Sequence, residues 1–156
     1  MKIKFMVVGK TDDEHLRKIM EDYERRLMHY TSFETVCVAE AKNAGKLSEA
    51  LLKVREGEKI MELLNRGDEL ILLDAKGQDY SSTEFSSFVA KRLDTGSKCL
   101  VFLAGGACGF SDEIYAKASC LVSLSRMTFT HQIVRIIFLE QLYRAFTIIR
   151  NERYHR

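Results

Sequence analysis

Leu100-Val101-Phe102-Leu103-Ala104-Gly105-Gly106-Ala107-Cys108-Gly109-Phe110 carries an apolar run straight into a glycine cluster, and Ser111-Asp112-Glu113 follows with residues that open a helix. An apolar run without alternation marks a strand covered on both faces. Glycines at its carboxyl end let the backbone turn sharply and approach a ligand closely. The order G-G-x-x-G is neither the Walker loop, which continues into Lys and Ser or Thr, nor the dinucleotide pattern G-x-G-x-x-G. Two readings stay open here: a ligand held without a dedicated phosphate cradle, or a tight strand-to-helix turn with no ligand.

Working outward, Lys2–Val8 reads as a strand and Asp13–Tyr30 as an amphipathic helix with Leu16, Met20, Tyr23 and Leu27 on one face. Phe33–Ala39 is a second strand, and Lys46–Asn65 a charged helix with Gly67 placed as its C-cap. Glu69–Asp74 is a strand, Ser82–Leu93 a helix opened by Ser82-Thr83-Glu84 and closed by Gly96, and Cys99–Ala104 the strand entering the glycine loop. Asp112–Ala118 then forms a short helix, Cys120–Leu124 a strand and Thr128–Asn151 a long final helix. This alternation, with runs such as Leu70–Leu73 apolar on both faces, predicts an α/β fold: a mostly parallel sheet with helices on both faces. At 156 residues, without repeat or linker, the chain reads as a single domain over residues 1–156. Ligands of such sheets sit beyond the carboxyl ends of the strands, which selects the loops Asp74–Gly77, Gly105–Gly109 and Ser125–Phe129.

Composition removes several classes of function. Hydrophobic residues at 46% and charged residues at 29% exclude a disordered or fibrous chain. The net charge of +2 does not demand a nucleic-acid partner, although clustering can build a basic face that the total conceals. Lys42, Lys46, Lys53, Arg55 and Lys59 are interspersed with Glu49, Glu56 and Glu58, as on a solvated helix surface. The four cysteines are far apart, with no C-x-x-C pair and no histidine at zinc spacing, so no metal is expected. Free cysteines in apolar runs suit a reducing compartment, and the apolar stretch Ile3–Val8 is too short for a signal peptide, so the expected location is cytoplasmic.

The last helix is unusual. Between Ile133 and Ile149 apolar residues surround it instead of forming one stripe, while Arg135, Glu140, Arg144 and Arg150 argue against a membrane span. A helix packed on its own sheet and on a second subunit uses both faces, which predicts a homodimer through this helix; enclosure by its own chain is the alternative. Glu140 and Arg144 stand at i,i+4 spacing, a local helix pair.

Three segments together are specific: Phe102–Gly109, Leu124-Ser125-Arg126-Met127-Thr128-Phe129-Thr130-His131-Gln132-Ile133-Val134-Arg135, and Glu140-Gln141-Leu142-Tyr143-Arg144-Ala145 with the ending Tyr154-His155-Arg156. The chain resembles, over its whole length, the small single-domain SPOUT-class methyltransferases of bacterial large-subunit (23S) ribosomal RNA that modify N3 of a pseudouridine. The resemblance implies an S-adenosylmethionine site where the chain forms a C-terminal trefoil knot, and an enzyme that acts as a dimer on ribosomal RNA in the assembled ribosome. The cofactor contacts it implies are Leu73, Gly105, Leu124, Ser125, Arg126, Met127, Thr128 and Phe129, on the three loops already selected. Thr130 stands where many members carry proline before the histidine.

Methyl transfer to a ring nitrogen needs alignment, loss of the N3 proton and exclusion of water. Histidine titrates nearest neutral pH, so His131 and His155 are the candidates for the proton, and His155 is favoured. Tyr154-His155-Arg156 offers a stacking ring, a proton acceptor and a phosphate-binding cation, which makes these the expected catalytic residues. His131, Arg135 and Arg144 are expected on the substrate side. Two rivals stand beside this reading: a non-catalytic RNA- or ribosome-binding α/β module, and an α/β enzyme using another nucleotide-like ligand.

Overall fold

A computed structural model of the chain describes residues 1–155. The strands β1 (Lys2–Val8), β2 (Ser32–Val38), β3 (Asp68–Asp79), β4 (Cys99–Ala104) and β5 (Cys120–Ser123) form one parallel sheet in the order β2-β1-β4-β3-β5. The helices are α1 (Glu14–Leu27), α2 (Glu49–Leu63), α3 (Ser82–Leu93), α4 (Asp112–Lys117) and α5 (Ile133–Ile149), with short 3-10 turns at Ala44–Lys46 and Arg153–His155.

Alternation along each strand sorts the side chains into two cores. Phe5 of β1 and Phe102 of β4 face α1, α3 and α5, and the Phe138 ring of α5 sits 4.5 Å and 4.9 Å from them. Met6, Leu72 and Leu103 face the other way, onto Ile60 of α2 and Ile114 of α4. Fully burying a ring such as Phe138 contributes about 1.5–3 kcal/mol. The expected parallel sheet with helices on both faces is therefore present.

Local chemistry explains most boundaries. The Asp13 carboxylate accepts the N–H groups of His15 and Leu16 at the start of α1. Ser81, one residue before the expected start, caps α3 in a reciprocal pair with Glu84. Other boundaries need correction. Helix α2 ends at Leu63 with Leu64 already extended, so Gly67 belongs to the turn into β3 and is not a C-cap. Strand β3 continues to Asp79, because Gln78 resumes pairing with Val122 after Leu73 has paired with it, and Asp74–Gly77 bulges out between. The last helix starts at Ile133, not Thr128: the Thr130 hydroxyl accepts the Ile133 N–H at 3.2 Å and opens the helix there.

The chain leaves β5 at the sheet edge, yet α5 packs between α1 and α3 over the middle strands. Residues 124–132 consequently cross the carboxyl ends of the strands, the place where a doubly covered sheet binds ligands. Among the described residues no helix is long and apolar enough to cross a membrane.

Candidate functional site

That crossing encloses a cavity of about 500 Å³. Each of the three selected loops contributes to it. Leu73, Gly105, Leu124, Ser125, Met127, Thr128 and Phe129 line it together, whereas Arg126 of the same segment does not. Gly105 follows directly on β4, and a Cβ there would stand 2.8 Å from the Phe110 ring, itself a buried wall of the cavity. The Ser123 hydroxyl donates to the Ser125 carbonyl at 3.1 Å and the Ser125 hydroxyl accepts the Met127 N–H at 2.9 Å, which shapes the turn. Met127 is 77% exposed at the rim, with Phe129 beside it. Large apolar side chains facing water mark a surface that a ligand or partner covers.

Asp74 is the charged residue to which sequence reasoning assigned no role. Its carboxylate is the acidic group in the cavity wall. The Tyr115 phenol donates to Asp74 Oδ2, and the Lys76 backbone N–H donates to Oδ1 at 2.8 Å. Burial, reinforced by the hydrogen bond to Asp74, pushes the Tyr115 phenol up to about 12, so it stays a donor at neutral pH. The signal was available in the chain: an aspartate at the carboxyl end of an apolar strand, in one of the three selected loops.

The residues expected on the substrate side separate. His131 lines the cavity, exposed, in the turn before α5 and not on the helix itself. Arg135, expected to contact phosphate, is 1% exposed. Its guanidinium donates to the Val8 carbonyl at 2.7 Å and Thr11 Oγ1 at 2.8 Å, so it is a core residue here. Burial lowers its pKa from the ordinary guanidinium value. Arg144 pairs with Glu140 at 2.6 Å, lies 4.9 Å from the Tyr154 ring and comes within 3.4 Å of His155 Nδ1. It orders the tail of its own chain instead of standing free for phosphate. Tyr154 also donates to Glu140 Oε1 at 3.2 Å and packs its ring against Tyr143. Neither Tyr154 nor His155 lines the cavity. Arg156 lies outside the described residues.

The tail rests on α5 near Glu140 and Arg144, six to ten residues beyond Val134 at the cavity, which is about 9–15 Å of helix. Chemically, the cavity combines apolar walls for a flat ring, side-chain-free backbone for its edge and a carboxylate for positive charge.

The chain matches the family described as "Predicted SPOUT methyltransferase" over residues 1–155. It is 47% identical over 155 residues to "Ribosomal RNA large subunit methyltransferase H" of Flavobacterium psychrophilum, with 99% of each chain covered. Proteins of the same name from Parabacteroides distasonis and Geotalea daltonii are 48% and 46% identical over the same extent. Among solved structures, a "probable methylase family protein" from Haemophilus influenzae aligns with a TM-score of 0.50 at 12% identity, covering 96% of this chain and 66% of that one. That likeness concerns the fold alone.

Proposed function

The chain belongs to the SPOUT methyltransferase family, and from that premise we propose that it transfers the methyl group of S-adenosylmethionine to N3 of a pseudouridine in the 23S RNA of the large ribosomal subunit. The observation that carries this reading is the convergence of Leu73, Gly105 and the Leu124–Phe129 turn on one cavity, with Asp74 in its wall. The full-length identity to proteins named for large-subunit ribosomal RNA methylation supports the choice of substrate. The chain works in the cytoplasm as one domain over residues 1–156. The crossing of residues 124–132 over the strand ends is the segment that threads the trefoil knot of the family.

The cofactor supplies an electrophilic methyl group on a sulfonium. The protein's part is to bind, orient and deprotonate. Leu73, Leu124, Met127 and Phe129 enclose the ring and exclude water, and Asp74, held by Tyr115, faces the positive charge. His155 would accept the N3 proton as the methyl carbon passes from the sulfonium sulfur, which leaves as a neutral thioether, to N3. Tyr154 stacks on the base and Arg156 contacts phosphate. Because the tail of the same chain rests away from the cavity, His155 arrives from a second copy. The dimer forms through α5, whose outward residues Ile133 and Ile149 are 40% and 36% exposed. Asp74, Tyr115 and the tail are thus parts of one composite site.

Labelled S-adenosylmethionine with ribosomes lacking the mark is the direct test. Label is expected in 23S RNA at N3 of a pseudouridine, located by mass spectrometry. No binding at millimolar cofactor overturns the methyltransferase reading; binding without incorporation favours a non-catalytic ribosome-binding module.

A further inference from the structure

Two cations expected to grip phosphate are already engaged, since Arg135 is 1% exposed against the Val8 carbonyl and Arg144 is paired with Glu140. The mouth of the cavity carries others. Arg126 stands between Ser125 and Met127, both of which line the cavity, yet does not line it itself. The Ser125 hydroxyl, accepting the Met127 N–H at 2.9 Å, fixes that turn, so the guanidinium is held at the rim, outside the wall. Lys76 repeats the arrangement on another loop. Asp74 and Ala75 line the cavity, Asp74 Oδ1 accepts the Lys76 N–H at 2.8 Å, and Lys76 stays outside the lining. Its ammonium lies 5.8 Å from the centre of the Tyr115 ring.

The sheet brings these two cations to one edge of the mouth. Strands β3 and β5 are parallel neighbours with Leu73 opposite Val122, so the loops leaving their carboxyl ends lie side by side. Gly77 makes the contact close, because a Cβ there would stand 2.6 Å from the backbone of Leu121 and Val122. Arg126 and Lys76 are both exposed, and among the described residues no ion pair engages either charge. The Asp74 carboxylate accepts from Tyr115 instead. Two unneutralised cations on neighbouring turns outside the cavity wall suit a polyanion laid across the mouth, not a small ligand within it.

We propose that Arg126 and Lys76 clamp the phosphates of the RNA strand along the β5 edge of the cavity mouth. The inference rests on the ribosomal RNA reading of the site. N3 lies on the pairing edge of the base, so its methylation requires that base to leave its stack and its pair. Backbone contacts hold the flanking strand in register meanwhile, without reading its sequence. Arg126 offers a planar fork to two phosphate oxygens, and Lys76 a point charge. Arg126 therefore serves the substrate, not the cofactor contacts that the resemblance implied.

Ribosomes lacking the mark and S-adenosylhomocysteine separate the two roles. For Arg126→Gln and for Lys76→Gln, ribosome affinity at fixed magnesium is expected to fall about tenfold, the scale of a charge-assisted contact. Plotted against the logarithm of salt concentration, log affinity is expected to lose about 0.7 of its slope for each cation removed. Arg126→Lys keeps the charge and is expected to keep the native slope. Calorimetry is expected to show S-adenosylhomocysteine bound as tightly by both Gln variants as by the native chain. A native salt slope in either Gln variant overturns the clamp, as does a slope in Arg126→Lys no better than in Arg126→Gln. Weakened S-adenosylhomocysteine binding by Arg126→Gln also overturns it and returns Arg126 to the cofactor. If the native chain binds S-adenosylhomocysteine but neither binds nor methylates ribosomes, the RNA reading itself falls and the clamp with it.

Discussion

The guanidinium of Arg135 donates to the carbonyl of Val8 at 2.7 Å, tying the first turn of α5 to the end of β1. A charge 1% exposed and held this way serves the fold. Arg135→Ala leaves the buried Val8 carbonyl without its donor and a cavity where the guanidinium lay, and is expected to lower the unfolding free energy by about 2–4 kcal/mol in urea titrations. RNA affinity of the folded variant should be unchanged. Weakened RNA binding at full stability would restore Arg135 to a phosphate contact.

Gly105 admits no larger residue, since its Cβ would stand 2.8 Å from the Phe110 ring. Gly105→Val pushes side-chain volume into the cavity, and cofactor affinity measured by calorimetry is expected to fall more than about tenfold, as overpacking of a tight site implies. Unaltered affinity would remove the glycine loop from the site.

Tyr115→Phe deletes the donor that orients Asp74. Cofactor affinity is expected to fall about threefold to tenfold, the worth of one hydrogen bond to a charged group. The pH dependence has a definite sign. The folded phenol is raised to about 12, above its unfolded value, so its stabilising contribution is complete below the unfolded value and is lost as pH rises toward about 12. Alkaline melts of the native chain should show this loss, and melts of the variant should lack it.

His155→Ala is expected to cut turnover by about 10²–10⁴, the range for a lost general base, while leaving cofactor affinity intact. Mixing His155→Ala chains with Gly105→Val chains should restore activity, because a mixed dimer pairs one intact tail with one intact cavity. A mixture as inactive as its components would place the tail and the cavity of one chain in the same site.

Glu56→Gln removes a buried carboxyl whose pKa lies above its unfolded value. The contribution of the native carboxyl is complete below the unfolded value and is lost as pH rises through the raised folded one. The variant should therefore match the native chain in acid and exceed it in stability at neutral pH, as read by melting temperature. Equal melting temperatures at neutral pH would show the carboxylate to be solvated.

Much of this architecture was legible in the residues because its causes are local. The bounds of Ser82–Leu93 and Cys99–Ala104 match the expected ones, since capping chemistry and an unbroken apolar run act within a few residues. The three loops followed from strand polarity, and the same three enclose the cavity. The start of α5 was not legible: Thr128–Gln132 contains no Gly or Pro, two threonines offer themselves as caps, and the passage over the strand ends is what puts Thr130 in the capping place. Arg135 and Glu56 were misread for a related reason, because a charged residue on a helix has no local mark of whether its face turns inward.

By itself, then, the amino-acid order determined the kind and succession of the elements, the parallel sheet and the loops at which a ligand binds, because hydrophobic period and turn chemistry are short-range. Tertiary structure alone decided that Arg135 is spent on the core, that Glu56 of α2 turns inward and that Tyr154 and His155 rest away from their own cavity. The environment of a charge depends on which distant segments cross it, and here the segment from β5 to α5 makes that crossing.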